Sequence, residues 1–220
     1  MKYKAIIFDM DGTIIKSEQL WKDATTHTLK RRNVTISEEV SVMIETEFTG
    51  RDMRTVCTII KERFNLTEHV DDLIIEKAAT ALKLVAHHVI FMEGFADFHK
   101  KITTLGLPTA LATNAQSAFV HATDAKLNLK QFFGEHIYHI NHVNNIGKPN
   151  PDIYLHAAKM LGIDPKECIA IEDSAAGLKA ARTAGMYCIG FDEIGRPDQM
   201  HEAHLVVNKY EEIDLRILHE

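Results

Sequence analysis

The segment Lys4-Ala5-Ile6-Ile7-Phe8 runs straight into Asp9-Met10-Asp11-Gly12-Thr13. A short apolar run without alternation is the profile of a strand covered on both faces, and the sudden change to acids and glycine marks its end as a loop. The profile recurs at residues 109–112 before Thr113-Asn114, 168–171 before Glu172-Asp173, 187–191 before Asp192-Glu193 and 205–207 before Asn208. Helical patterns at 96–105, 152–161 and 175–184 lie between these runs, closed by Gly106, Gly162 and Gly185. The pattern at 152–161 begins after Pro151 and carries Ile153, Ala157, Met160 and Leu161 at helical spacing. Strands alternating with helices predict βαβ units, an α/β fold and a parallel sheet. Ligands of such sheets bind beyond the carboxyl ends of the strands, where the polar clusters fall.

Residues 16–86 break this rhythm. They read as helices at 18–30, 37–48, 53–64 and 70–86, with no buried strand among them. The expected organisation is a core of residues 1–15 and 90–220 interrupted by an all-helical domain at 16–89, with hinges near residues 15–17 and 87–92.

Charge and cysteine content narrow the partners. The 220 residues hold 25 Lys and Arg against 31 Asp and Glu, a formal charge of −6 that gives no general attraction to nucleic acid or anionic membranes. The basic run Lys30-Arg31-Arg32 reads as a solvated helix end. Residues 102–123 contain no Asp, Glu, Lys or Arg, but Gly106, Pro108, Asn114 and Gln116 interrupt them too densely for a membrane span. Cys57, Cys168 and Cys188 are odd in number and lack C-x-x-C spacing, and the last two sit inside apolar runs and read as small buried hydrophobes, so a reduced compartment is expected. Asp9 and Asp11 cut the first apolar stretch too early for a secretory signal, and a cytoplasmic location is expected. His87 and His88 are adjacent, while His136, His139 and His142 scatter through a strand and loop, without metal-binding spacing.

The chemistry-bearing residues sit at the strand ends. Asp9 and Asp11 place two carboxylates in one small loop, and Glu172-Asp173-Ser174 adds two more acids. Lys148 lies in the stiff segment Gly147-Lys148-Pro149-Asn150-Pro151-Asp152, and Thr113-Asn114 supplies a hydroxyl, an amide and backbone donors. Acids for a cation, a cation for an anion and donors for oxygen together suit phosphoryl transfer. Mg²⁺ takes carboxylate and carbonyl oxygens, Lys and backbone N–H groups take phosphate oxygens, and a carboxylate can attack phosphorus while a second acid moves the proton.

Those residues, in that order, resemble the four motifs of the haloacid dehalogenase superfamily. The resemblance implies a Rossmann-like core with an inserted helical cap that closes over the active site, and a Mg²⁺-dependent enzyme. It implies that Asp9 is nucleophile and metal ligand, and that Asp11 is the general acid/base and gives its backbone carbonyl to the metal. Thr113 would hold the phosphoryl group with Asn114 beside it, Lys148 would bridge nucleophile and phosphate, Asp173 would complete the metal site, and Glu172 would act on the metal directly or through a bound water.

The insertion resembles the cap of the β-phosphoglucomutase-like subgroup, and Ser17-Glu18-Gln19-Leu20-Trp21 resembles a stretch of small sugar-phosphate phosphatases. Lys16 and Gln19 stand where those proteins have Asp and Pro. Mutases of the subgroup carry a His near the position of Trp21, and its absence speaks against a mutase; Trp21 itself reads as packing within the helices. Asp11 speaks against dehalogenation, and the lack of a Schiff-base Lys in the insertion against phosphonate hydrolysis. Arg51 and Arg54 fall where related caps read substrate. The leading expectation is a phosphatase of a small, sugar-like phosphomonoester, acting as monomer or dimer. A phosphosugar mutase and a non-catalytic binding protein of the same fold are the alternatives.

Overall fold

A computed structural model describes residues 1–48 and 53–219. The chain divides into two compact units, Met1–Lys16 with Ile90–Glu220, and Ser17–Val89. The strands are β1 (Ala5–Phe8), β2 (Ile15–Lys16), β3 (Ile90–Phe91), β4 (Thr109–Thr113), β5 (Ile137–His139), β6 (Cys168–Glu172), β7 (Tyr187–Phe191) and β8 (Leu205–Val207). The helices are α1 (Glu18–Lys30), α2 (Glu38–Thr46), α3 (Met53–Arg63), α4 (Val70–His88), α5 (Phe95–Thr104), α6 (Ser117–Leu127), α7 (Lys130–Phe133), α8 (Asp152–Leu161) and α9 (Ala175–Thr183).

The larger unit is built on a six-stranded sheet of order β5-β4-β1-β6-β7-β8, and every pairing in it is parallel. The α/β parallel sheet expected from the strand–helix alternation is therefore present. β1 lies in its middle, with Phe8 opposite Leu111 of β4 and opposite Ile171 of β6. That register brings the carboxyl ends of the three strands to one edge, and the Asp9 N–H donates to Ile171 O at 3.0 Å.

Alternation along β1 sorts its side chains between two faces. Ala5 and Ile7 join Ala110, Ala112, Cys168 and Ala170 in a core closed by Ile153, Tyr154, Ala157 and Ala158 of α8 and by Leu178 and Ala181 of α9. Phe8 faces an aromatic layer, with Phe95, Phe98 and Phe133 at ring-centroid distances of 5.7, 6.3 and 5.8 Å. In the same layer His99 Nε2 meets Thr109 Oγ1 at 3.0 Å, and burial pulls its imidazole down from 6.5 to about 4. The three cysteines are buried and form no disulfide, and burial pushes the thiols of Cys168 and Cys188 up to about 12.

One element face departs from its reading. Met160 of α8 is 52% exposed, and the buried stripe runs through Ile153, Tyr154, Ala157 and Ala158 instead. Pairs four apart, offset by one residue, follow the 3.6-residue period, and this turns Tyr154 inward. A short ladder also went unread: β2 pairs antiparallel with β3, Ile15 opposite Phe91 and Lys16 opposite Ile90.

The described elements of the smaller unit are the helices α1–α4. Leu29, Met43, Ile44, Phe48, Val56 and Ile60 form a hydrophobic cluster. Ser37 caps α2 by accepting the Val40 N–H at 3.3 Å. Arg32 is not the solvated helix end read from sequence. Its side chain is 12% exposed and bonds Glu68 Oε1 at 2.9 Å, Glu76 Oε2 at 3.0 Å and Thr28 O at 2.8 Å. The acids that draw it inward lie 36 and 44 residues downstream, beyond the reach of a local charge pattern. Lys77 of α4 is also buried, 5.9 Å from the Trp21 ring centroid, and burial lowers its ammonium to about 8.

Candidate active site

The loop after β1 closes on itself. The Ile14 and Ile15 N–H groups both donate to Met10 O, at 3.0 and 3.1 Å, and Gly12 N–H donates to Ile15 O at 2.9 Å. Gly12 has φ +76°, and an added Cβ there would lie 2.2 Å from Asp173 Oδ2. Both the turn and the close approach of the Asp173 carboxylate need a residue without a side chain.

Asp9, Glu172 and Asp173 meet at this edge. Each offers one carboxylate oxygen, and these oxygens all lie within 4.8 Å of one another. Lys148 Nζ donates to Asp9 Oδ1 at 2.5 Å, Glu172 Oε1 at 2.7 Å and Ala112 O at 2.9 Å, which engages all three of its protons. The Tyr154 ring covers the ammonium, its centroid 4.8 Å from Nζ. Burial works against this ammonium, but Asp9 and Glu172 outweigh it and hold its pKa above the usual lysine value.

Burial pushes the Asp9 carboxyl well above its ordinary range against the pull of Lys148, with Glu172 and Asp173 adding to the rise. Asp173 is pushed up to about 7 by burial and then by Glu172, while Arg196 opposes the shift. Two buried acids and one half-buried acid thus face one ammonium and one guanidinium. Their donor set is all oxygen, and the crowding of carboxylates is what a hard divalent cation relieves, so the residues present fit Mg²⁺.

Glu172 is fixed from the helix side. Its Oε2 accepts from the Ser174 N–H at 2.8 Å and the Ser174 hydroxyl at 2.9 Å, and Ser174 Oγ in turn accepts the Gly177 N–H at 3.1 Å to cap α9. A Cβ on Gly177 would lie 1.6 Å from Glu172 Oε1.

Two residues expected beside a phosphoryl group have protein partners. Thr113 is buried, and its Oγ1 accepts the Ala115 N–H at 3.0 Å. Asn114 Oδ1 accepts the Lys148 N–H at 2.9 Å, so its amide fixes the backbone that carries the lysine. Asp11 sits half-buried in the β1 loop, outside the carboxylate trio.

Residues 3–185 match the family of haloacid dehalogenase-like hydrolases. The chain belongs to that family. Among similar members, protein CbbY of Rhodobacter capsulatus is 32% identical over 197 residues, covering 84% of each chain. Validoxylamine A 7'-phosphate phosphatase of Streptomyces hygroscopicus subsp. limoneus is 26% identical over 211 residues, covering 96% of each. The structure of CbbY from Rhodobacter sphaeroides in complex with phosphate matches with a TM-score of 0.79 at 25% identity, covering 99% of this chain and 100% of that chain.

As a haloacid dehalogenase-like hydrolase, the protein has Asp9, Lys148, Glu172 and Asp173 in one cluster, with Thr113 and Asn114 at the end of the adjacent strand. The two arginines expected to read substrate belong to the smaller unit. Arg54 is 64% exposed and bonds Asp71 Oδ1 at 2.5 Å within the helical unit, and Arg51 lies outside the described residues. Sequence reading missed Tyr154 and Arg196. Tyr154 was legible as the inward partner of Ala157 and Ala158, whereas Arg196 follows β7 in a loop with no local pattern to single it out. Among the described residues no histidine joins a metal-binding group, and no helix is long and apolar enough to cross a membrane.

Proposed function

We propose that the protein is a Mg²⁺-dependent phosphatase of a small, sugar-like phosphomonoester, acting through an aspartyl phosphate on Asp9. The observation that carries this reading is the convergence of Asp9, Glu172, Asp173 and Lys148 at the carboxyl ends of β1 and β6. The phosphatase named among the relatives, and the phosphate held by the similar structure, support it.

In this reading a carboxylate oxygen of Asp9 forms a bond to phosphorus as the bond to the ester oxygen breaks. Asp11 gives that oxygen its proton and then takes one from the water that attacks the aspartyl phosphate, which releases inorganic phosphate and restores Asp9. Lys148 orients Asp9 through the Oδ1 bond. Because its three donors are already engaged, it contributes to phosphate binding chiefly through its charge. Thr113 and Asn114 border the phosphoryl position, Asn114 acting through the backbone of Lys148. Mg²⁺, held by Asp9, Asp173, Glu172 and the Asp11 carbonyl, would neutralise charge on the phosphoryl oxygens.

The inserted helices carry substrate selection in this reading. Arg54→Ala should change the ranking among sugar phosphates by several-fold in kcat/KM while leaving hydrolysis of an aryl phosphate within about twofold. An unchanged ranking removes Arg54 from selection.

The test is phosphate release from a panel of sugar phosphates, nucleotides and an aryl phosphate, with and without Mg²⁺, with Asp9→Asn protein alongside. Mg²⁺-dependent release that Asp9→Asn abolishes is the expected result. Isomerised sugar phosphate without free phosphate would mean a mutase, and no turnover by folded, metal-loaded protein would mean a binding protein.

A further inference from the structure

Arg196 lies outside every motif, yet it is bonded to an acid of the cluster. Its Nη2 donates to Asp173 Oδ2 at 3.0 Å, with side chains only 18% and 14% exposed. The approach is built rather than incidental. Asp192 is buried, its N–H donates to Val207 O at 2.8 Å, and its Oδ1 accepts the Arg196 N–H at 2.6 Å. Pro197 follows and opens a single tight turn, Pro197–Gln199. Gln199 Oε1 then accepts the Ala175 N–H, at 3.4 Å, two residues beyond Asp173. The segment is thereby tied to the end of β7 on one side and to the start of α9 on the other.

The placement carries a cost. Arg196 Nε is buried with no partner among the described residues, and an unsatisfied buried donor opposes folding. A guanidinium serving only solubility would lie in water. The same Asp173 oxygen rests against Gly12, where a Cβ would meet Oδ2 at 2.2 Å. A guanidinium and a close backbone thus both constrain that oxygen, and the carboxylate has little freedom left.

We propose that Arg196 is a positioning residue of the metal site, fixing Asp173 so that its carboxylate is set for a divalent cation before the cation arrives. The inference rests on reading the acid cluster as a cation site. Two physical effects of Arg196 oppose each other. Its positive charge weakens attraction for the cation, whereas its hydrogen bond removes the cost of ordering a ligand. If orientation outweighs charge, loss of Arg196 weakens metal binding; if charge outweighs orientation, the same loss strengthens it. Outer partners of metal ligands typically hold a factor of 10–100 in affinity.

The test is Mn²⁺ binding to the full chain without substrate, followed by the electron paramagnetic resonance signal of the free ion and repeated with Mg²⁺ by calorimetry. Arg196→Ala should bind about tenfold more weakly. Arg196→Gln, which keeps an N–H donor and loses the charge, should recover most of the affinity, and Asp198→Ala, in the same turn, should match wild type. At saturating Mg²⁺ the KM of Arg196→Ala for substrate should return close to wild type. Affinity equal to or tighter than wild type in a folded Arg196→Ala protein overturns the proposal. If the alanine variant does not fold, Arg196→Met, which keeps much of the bulk but neither the charge nor the donor, takes its place, and affinity equal to or tighter than wild type in that variant overturns the proposal equally. Failure of wild-type protein itself to bind either ion would instead overturn the cation-site reading, and this inference with it.

Discussion

Lys148 shows how one side chain can govern a site. It compensates two buried carboxylates at once, and its backbone is in turn fixed by Asn114. Removing one partner of such a cluster leaves charge uncompensated in a poorly solvated place, which costs about 3–5 kcal/mol. Lys148→Met, similar in length and uncharged, should therefore lower the urea midpoint of unfolding in metal-free protein and reduce kcat at least a hundredfold. If the acid cluster holds Mg²⁺ as proposed, added Mg²⁺ should restore part of the stability, because a ligand of the folded state alone favours that state. An unchanged midpoint together with near-normal kcat would show that the lysine is dispensable. The acids and this lysine were legible in the sequence because each ends or follows a recognisable segment. Arg196 was not, since its partner Asp173 lies 23 residues away and only the β6–β7 pairing brings the two loops together.

At the scale of elements, the strands with continuous apolar runs were legible nearly to the residue: β7 and β8 coincide with their readings and β1 differs by one residue. β2 and β3, two residues each, were not. A two-residue pairing carries too few side chains to impose a period, and it forms only where distant segments meet. The helix α5 offers a test of its packing against the sheet. His99, buried there against Thr109, has its pKa pulled from 6.5 down to about 4. Between these values the unfolded chain takes up a proton that the folded protein refuses, so stability falls as pH drops from about 6.5 to 4 and is insensitive to this group above it. His99→Gln should flatten that part of the stability–pH curve, by roughly 2–3 kcal/mol across the window. Parallel curves for variant and wild type would mean that the imidazole is not shielded from protons.

At the scale of the whole molecule, a sheet of order β5-β4-β1-β6-β7-β8 places the first strand between two strands that come much later in the chain. Residues separated by more than a hundred positions become neighbours, Asp9 and Glu172 through the β1–β6 register and Asp9 and Lys148 because the loop before α8 returns to the ends of β1 and β4. The order of the motifs along the chain was readable, and the fold gives it meaning by aligning three strand ends. Substrate identity was not readable, because no local pattern fixes how charged side chains of the inserted helices pair, as Arg54 does with Asp71.

The most direct measurement is a single-turnover reaction with Mg²⁺ and the best substrate of the panel, quenched in acid within milliseconds and mapped by peptide mass spectrometry. A phosphoryl group on the peptide containing Asp9, formed and lost at rates consistent with kcat and absent from Asp9→Asn protein, is the predicted result. Turnover at the normal rate with no phosphoryl group on that peptide, or undiminished turnover by Asp9→Asn, would contradict covalent transfer through Asp9.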